Sequence, residues 1–454
     1  MNFISSRLSN VFGRKAPKPS DAPPSGSKKL PQNRAVNRHA EEKKPEPTIL
    51  PKPIAKWIKS SPDGPVDSVL AGVAIALIGF GVVMVYSSST VEAATKYHDA
   101  QFFLKRQGVY AILALFAMWV MSRIDYRKLK PLTYPILVVV IGLLVATVVG
   151  LGHRAGNANR WLSLGPIHIQ PAELAKLGIV FWLAYSLTKK AEKIKSFAVG
   201  FLPHLFVAGI LMLLCLKQPD FGSAVVLLFL TFTMMFVAGA KVPYIAAFTM
   251  LLGLGAVAAV RFSNYRYARY VSWIDMESHR DGIAYQPFQS VMSFGSGGTW
   301  GLGLGKGLQV LYLPEAHTDF ISAIIGEELG FVGILGLVAA YLVIVSRSVK
   351  VALRAADDYG SYLAFGIATL FGVQALTNLC VAMAILPTKG LTLPLISYGG
   401  SSLMVNAAAV GVLLSISRPR RTLEEEPKPV EKKHDLPSAS GVVLASADEG
   451  AAGW

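Results

Sequence analysis

The chain has 454 residues, 52% of them hydrophobic and 16% charged, with a mean hydropathy of +0.45. A soluble domain carries about 25% charged residues, so this sequence lacks the polar surface to cover a water-facing globule, which excludes a disordered protein, a collagen-like fibre and a soluble enzyme. Its two cysteines, Cys215 and Cys380, lie in apolar runs, leaving neither a disulfide framework nor a zinc cluster.

The net charge of +16 is uneven: residues 1–65 hold 13 Lys/Arg against 5 Asp/Glu, residues 418–454 hold 6 against 7, and the 352 between hold 25 against 16. The basic start is punctuated by Pro17, Pro19, Pro23, Pro24, Pro45, Pro47 and Pro51. It reads as a disordered tail, with too little apolar surface to offset the entropy of ordering it. No apolar run follows Met1 closely enough for a cleavable signal. The scattered cations suit anionic lipid rather than nucleic acid. The expected organisation is a cytoplasmic tail over 1–65, a membrane domain over 66–418 and a second disordered tail over 419–454.

The membrane domain contains ten apolar segments long enough, or nearly so, to cross a bilayer core that needs about 20 helical residues. They run Ser68–Ser88, Gln107–Met121, Pro131–Gly150, Ile169–Leu187, Val199–Leu216, Phe221–Ala238, Val242–Val260, Phe320–Ser346, Leu363–Leu386 and Leu395–Ile416. An even number puts both termini on one side. With the N-terminus inside, twelve Lys/Arg fall on the short inner loops against seven outside (Lys96, Lys105, Arg106, Arg154, Arg160, Lys217 and Lys389). That bias supports N-in and C-in, with the longest connection, about 261–319, outside. The outer cations read either as interfacial anchors or as a rim that receives an anion.

Four polar strings interrupt this apolar background. Asn159-Arg160-Trp161 precedes Gln170-Pro171-Ala172-Glu173-Leu174-Ala175-Lys176, where Pro171 suits a first helical turn and Glu173 and Lys176 share a helix face. An ion pair that holds helices together and a polar cavity wall are both open readings. Lys217-Gln218-Pro219-Asp220-Phe221-Gly222 makes an outer turn. Leu313-Pro314-Glu315-Ala316-His317-Thr318-Asp319-Phe320 leads into the eighth segment. Asp319 there serves the helix dipole or chemistry, and Glu327 and Glu328 follow at membrane depth, where carboxylates are costly. Pro387-Thr388-Lys389-Gly390 precedes Pro394-Leu395-Ile396-Ser397-Tyr398-Gly399-Gly400-Ser401-Ser402. The glycine run from Gly295 to Gly307 fails as a phosphate loop, because Gly305-Lys306 is followed by Gly307 and the earlier glycine position is Trp300; a flexible outer loop is expected.

Together these strings resemble the SEDS family (shape, elongation, division, sporulation) over residues 66–418. The surroundings of Lys389 and the basic extension are more similar to the cell-division member than to the elongation member. The resemblance implies an all-α polytopic membrane protein and a peptidoglycan glycosyltransferase. Such an enzyme polymerises lipid II into β-1,4 glycan strands at the outer face of the cytoplasmic membrane, at the division septum. It implies Asp319 as the catalytic residue, and a substrate site drawn from Arg106, Arg160, Gln170, Glu173, Lys176, Lys217, Asp220, His317, Lys389 and Ser397. A divalent cation, Mg or Mn, is the candidate cofactor, and no nucleotide is expected. Implied partners are the nascent glycan strand, a class B penicillin-binding protein, other divisome proteins and the membrane, with no nucleic acid. A lipid II flippase and a tail-mediated divisome scaffold are the rival functions.

Overall fold

A computed structural model describes residues 64–155, 158–164 and 167–418; the two tails expected to be disordered lie outside the described residues. Each of the ten predicted apolar segments falls on a helix. In chain order the helices are α1 Ser68–Tyr97, α2 Phe102–Arg123, α3 Thr133–Ala146, α4 Pro171–Lys189, α5 Leu202–Lys217, α6 Phe221–Val237, α7 Val242–Arg261, α8 Asn264–Ile274, α9 Tyr285–Gly297, α10 Ile321–Leu353, α11 Asp358–Ala382 and α12 Gly400–Ser417. α8 and α9 are short helices within the long connection that sequence periodicity did not delimit. Among the described residues, seven helices are long and apolar enough to cross a membrane: α1, α2, α3 extended to Gly150, α5 extended back to Phe197, α10, α11 and α12. α6 and the apolar part of α7, Val242–Ala258, are shorter. α4 carries Glu173, Lys176 and Lys189, yet almost all of it is buried by its neighbours. A helix enclosed by protein need not be apolar all round, because its charges meet side chains rather than lipid.

The outward faces of the outer helices are apolar, as at Ile112, Val138, Leu213 and Leu342, the pattern of a bundle solvated by acyl chains. Helix starts are set by short carboxylates: Asp67, Asp220 and Asp357 accept from Leu70 N (3.0 Å), Ser223 N (3.1 Å) and Gly360 N (2.7 Å). One end of the bundle is closed by ion pairs, Arg347 to Asp67 at 2.7 Å and Arg127 to Asp357 at 2.7 Å. At that end Asp67 N donates to Ser417 Oγ at 3.0 Å, so the two ends of the helical domain meet there. At the other end, α3 and α4 are joined by a three-stranded antiparallel sheet, β1 His153–Ala155, β2 Ala158–Leu164 and β3 Ile167–Ile169.

α10 is broken at Gly330 (φ 65, ψ −163). In a continuous helix Phe331 N and Val332 N would donate to Glu327 O and Glu328 O. They donate instead to Gly298 O (2.9 Å) and Thr299 O (3.2 Å), while Glu327 O and Glu328 O accept from Leu302 N (3.0 Å) and Gly303 N (2.9 Å). A second stretch of backbone is thus inserted into the helix ladder. The approach is so close that a Cβ on Gly301 would collide with Glu328 O. The two carboxylates complete the joint. Glu327 accepts from Leu308 N (2.8 Å) and Gln309 N (3.1 Å); Glu328 accepts from Ser87 Oγ (2.6 Å), which itself accepts from Gly305 N (3.1 Å). The glycine run expected as a flexible loop is therefore built into α10, and Glu327 and Glu328 hold it.

Candidate functional site

Asp319 sits in the turn before α10, at the end of the bundle away from the Asp67–Ser417 contact. Its main chain is held from two sides. Asn378 of α11 donates through Nδ2 to Asp319 O (2.8 Å) and to Leu391 O (2.7 Å), and its Oδ1 accepts from Ser322 Oγ (2.9 Å). Ser397 Oγ donates to Thr318 O (2.6 Å) and accepts from Leu393 N (2.8 Å), while Tyr398 N donates to His317 O (2.9 Å). The segment 387–398 is thereby laid across the turn that carries the carboxylate. A Cβ placed on Gly390 would lie 3.0 Å from Asp319 Oδ2 and 3.5 Å from Arg160 Nη1, so a residue without a side chain separates an acid from a guanidinium.

Arg160, the third residue of β2, is fixed by the α5–α6 turn: its Nε donates to Gln218 O at 3.1 Å and its Nη2 to Pro219 O. Gln218 Nε2 in turn donates to Leu144 O at 3.0 Å. Asp220 is buried and caps α6 with Oδ1, leaving Oδ2 without a hydrogen-bond partner. Desolvation pushes the Asp319 carboxyl up to about 7; Glu315, Asp220 and Glu173 add to the rise and Arg160 opposes it.

Lys389 lies over the Phe221 ring at 4.3 Å. Burial lowers its ammonium to about 8, and the charges of Arg269, Arg266 and Arg160 lower it further. Arg266 and Arg269 stand one helical turn apart on α8. That helix is pinned to the turn after α11, shortly before Lys389, by Trp273 Nε1 donating to Ala384 O at 2.8 Å. These two arginines were missed in the sequence. They sit in a long polar connection where hydropathy is silent, and their three-residue spacing was the only signal.

The remaining expected site residues fall in three places. Glu173 and Lys176 form a buried ion pair at 2.7 Å on α4, whose first turn is joined to α12 by Gln170 N donating to Ser401 Oγ at 3.2 Å. His317 faces away from Asp319, with Nδ1 3.5 Å from Glu92 and its ring packed on Phe103 and near Tyr398. Burial lowers its pKa, against the raising effect of Glu92. Arg106 belongs to this aromatic group, 4.3 Å from the Phe102 ring centroid. Lys217 is exposed at the end of α5, and the Ser397 hydroxyl is engaged by main chain. Among the described residues no three His, Cys, Asp or Glu side chains converge as a metal cage.

A membrane-embedded helical bundle with a half-buried carboxylate and clustered cations at one end defines the class as a polytopic membrane protein with a charged site at the end of its bundle. Residues 67–422 match the FtsW/RodA/SpoVE family model, described as cell cycle protein, and the chain belongs to that family. It is 46% identical over 353 residues, 77% of this chain and 94% of the relative, to the "Probable peptidoglycan glycosyltransferase FtsW" of Geobacter metallireducens. It is 38% identical to "Stage V sporulation protein E" of Bacillus subtilis, covering 79% of this chain and 98% of that one. A chain of a solved peptidoglycan synthase complex, described as coordinating polymerization and crosslinking, superposes with a TM-score of 0.65 at 30% identity, covering 78% of this chain and 97% of that chain. The rod shape determining protein RodA of Thermus thermophilus gives a TM-score of 0.58 at 30% identity, covering 78% and 96%.

Proposed function

We propose that this protein is the cell-division peptidoglycan glycosyltransferase of its organism, polymerising lipid II with Asp319 as general base. The observation that carries the reading is the meeting of the Asp319 carboxylate and the Arg160 guanidinium across Gly390. The acceptor's GlcNAc 4-hydroxyl gives its proton to Asp319 as its oxygen attacks the MurNAc anomeric carbon of the growing strand. The bond from that carbon to the diphosphate breaks, its electron pair leaves with undecaprenyl diphosphate, and α inverts to β. Such a leaving group is already a stable anion and needs no protonating acid, unlike a glycoside leaving oxygen, for which paired carboxylates are usual. What it needs is positive charge at the departing oxygens. Arg160 and Lys389, with Arg266 and Arg269, are the groups for that task. A base with a pKa near 7 is well matched to proton transfer at neutral pH. A divalent cation carried on the diphosphate would add to this charge, and its need is read by adding a chelator.

The loop-charge bias supports an orientation with Asp319 at the outer membrane face and both tails in the cytoplasm. The similarity to a complex that couples polymerization to crosslinking supports a class B penicillin-binding protein as partner. The test is polymerisation of fluorescent lipid II by the purified full chain, with and without that partner. Lengthened glycan is expected. Movement of lipid II between leaflets with no polymer would replace the enzyme by a flippase.

Gly390→Ala is a second test. No left-handed φ demands glycine at this position, so the backbone accepts alanine, and the atoms nearest to the new methyl belong to the Asp319 and Arg160 side chains. The variant should fold and lose polymerisation by roughly 10²-fold, the scale of an ångström-level misplacement. Full activity would remove the gap across Gly390 from the mechanism.

A further inference from the structure

We infer that the segment Trp300–Leu308, inserted into the break of α10, is a wedge that enters the outer leaflet and binds acyl chains. Four observations meet there, none of them drawn from the Asp319 site. The first is exposure: Trp300, Leu302, Leu304 and Leu308 are 79%, 40%, 54% and 64% exposed, in a segment whose other members are glycines and Lys306.

Depth is the second. Ser87, which contacts Glu328 and Gly305 N, lies on α1, twenty residues beyond Asp67. At 1.5 Å per residue this is about 30 Å, one hydrocarbon thickness. Counting back along α10 from Arg347, the ion-pair partner of Asp67, reaches Gly330 after seventeen residues, or about 26 Å. Two helices thus put the segment just inside the far hydrocarbon boundary, where Trp side chains concentrate.

The third observation is continuity. Phe331, Val332, Leu335 and Leu342 form the exposed apolar stripe of α10 directly beyond the break, so the wedge extends a surface that already faces lipid. The fourth concerns the backbone. Non-helical chain is tolerated at membrane depth only where its polar groups are satisfied by protein. From Gly301 to Gln309 the amides, Leu304 and Gly307 apart, donate to carbonyls of this joint, to Ser87 Oγ or to the Glu327 carboxylate. A loop destined for water would not require this provision. Lys306 is long enough to reach the headgroups from there.

Nitroxide labels at Leu304→Cys and, separately, Leu308→Cys in a Cys380→Ala background test the idea, using the full chain in vesicles of phosphatidylethanolamine and phosphatidylglycerol. Cys215 is buried and stays unlabelled. Reference labels at Leu342→Cys and Glu277→Cys report lipid and water. The ratio of oxygen to nickel-chelate collisions at 304 and 308 should shift to the Leu342 value. A ratio like that of Glu277 places the segment in water and overturns the inference. Suppression of both collisions means that a second copy or another protein surface covers it, and overturns it equally. If the labelled variants fail to fold, acyl-brominated phosphatidylcholine supplies an independent reading. Its quenching of tryptophan emission should be greater in the unsubstituted protein than in Trp300→Phe, and equal quenching rejects the wedge.

Discussion

Replacing Asp319 by Asn is expected to abolish glycan polymerisation while the protein still inserts and folds. Asparagine keeps the shape, and the bond that holds this turn, Asn378 Nδ2 to Asp319 O, uses main chain and survives the change. What disappears is the acceptor of the hydroxyl proton. In the unsubstituted protein, activity should rise with pH through about 7, because the base works only when deprotonated and burial sets its carboxyl there. Arg160→Ala removes the charge that opposes this rise, so the residual activity should shift to higher pH. Stability carries the same signature. The folded carboxyl lies above its ordinary value of 3.8, so the folded state binds this proton more firmly than the unfolded one. Its contribution is complete below pH 3.8 and is lost as pH rises to about 7. The Asn variant lacks that loss, and melts in detergent at pH 5 and pH 8 should differ less than for the unsubstituted protein. Polymer from Asp319→Asn at the normal rate would remove Asp319 from the base role.

Lys176→Met is expected to be the most damaging single change to the fold. Lys176 and Glu173 are both buried and paired at 2.7 Å. Removing one partner strands a charge away from water, a cost of about 3–5 kcal/mol. Little folded protein should survive extraction. Replacing both, as Glu173→Leu with Lys176→Met, substitutes apolar contacts for the pair, and such swaps are often neutral or stabilising. The double variant should therefore melt near the parental temperature. This separates the two readings left open by the spacing of the residues. Glu173 contributes to the field at Asp319, and a polar cavity wall predicts a folded but inactive double variant; normal polymerisation would show a structural ion pair only.

Much of the bundle is legible in the amino-acid sequence, and the exceptions share a cause. Each apolar run became a helix because lipid-facing and core-facing residues are both apolar, which leaves an unbroken signal in one dimension. α1 was read too short because its last turns carry Thr90, Glu92 and Lys96; those turns leave the apolar run and bring Glu92 to His317. α8 and α9 escaped because the long connection has no apolar run to mark them. The glycine run was misread as mobile because its order depends on carbonyls of Glu327 and Glu328, supplied by a helix that follows it.

The amino-acid sequence by itself determined that this is a multi-pass membrane protein built on apolar segments that become helices. It also determined which acidic and basic strings stand between those segments, since composition and spacing are local properties. Only the tertiary structure decided that Asp319 faces Arg160 across Gly390 rather than His317, that Ser397 is a fastener, and that Arg266 and Arg269 join Lys389. Those outcomes depend on which turns are laid over one another, and that is set by hydrogen bonds such as those of Asn378, between residues far apart in the chain.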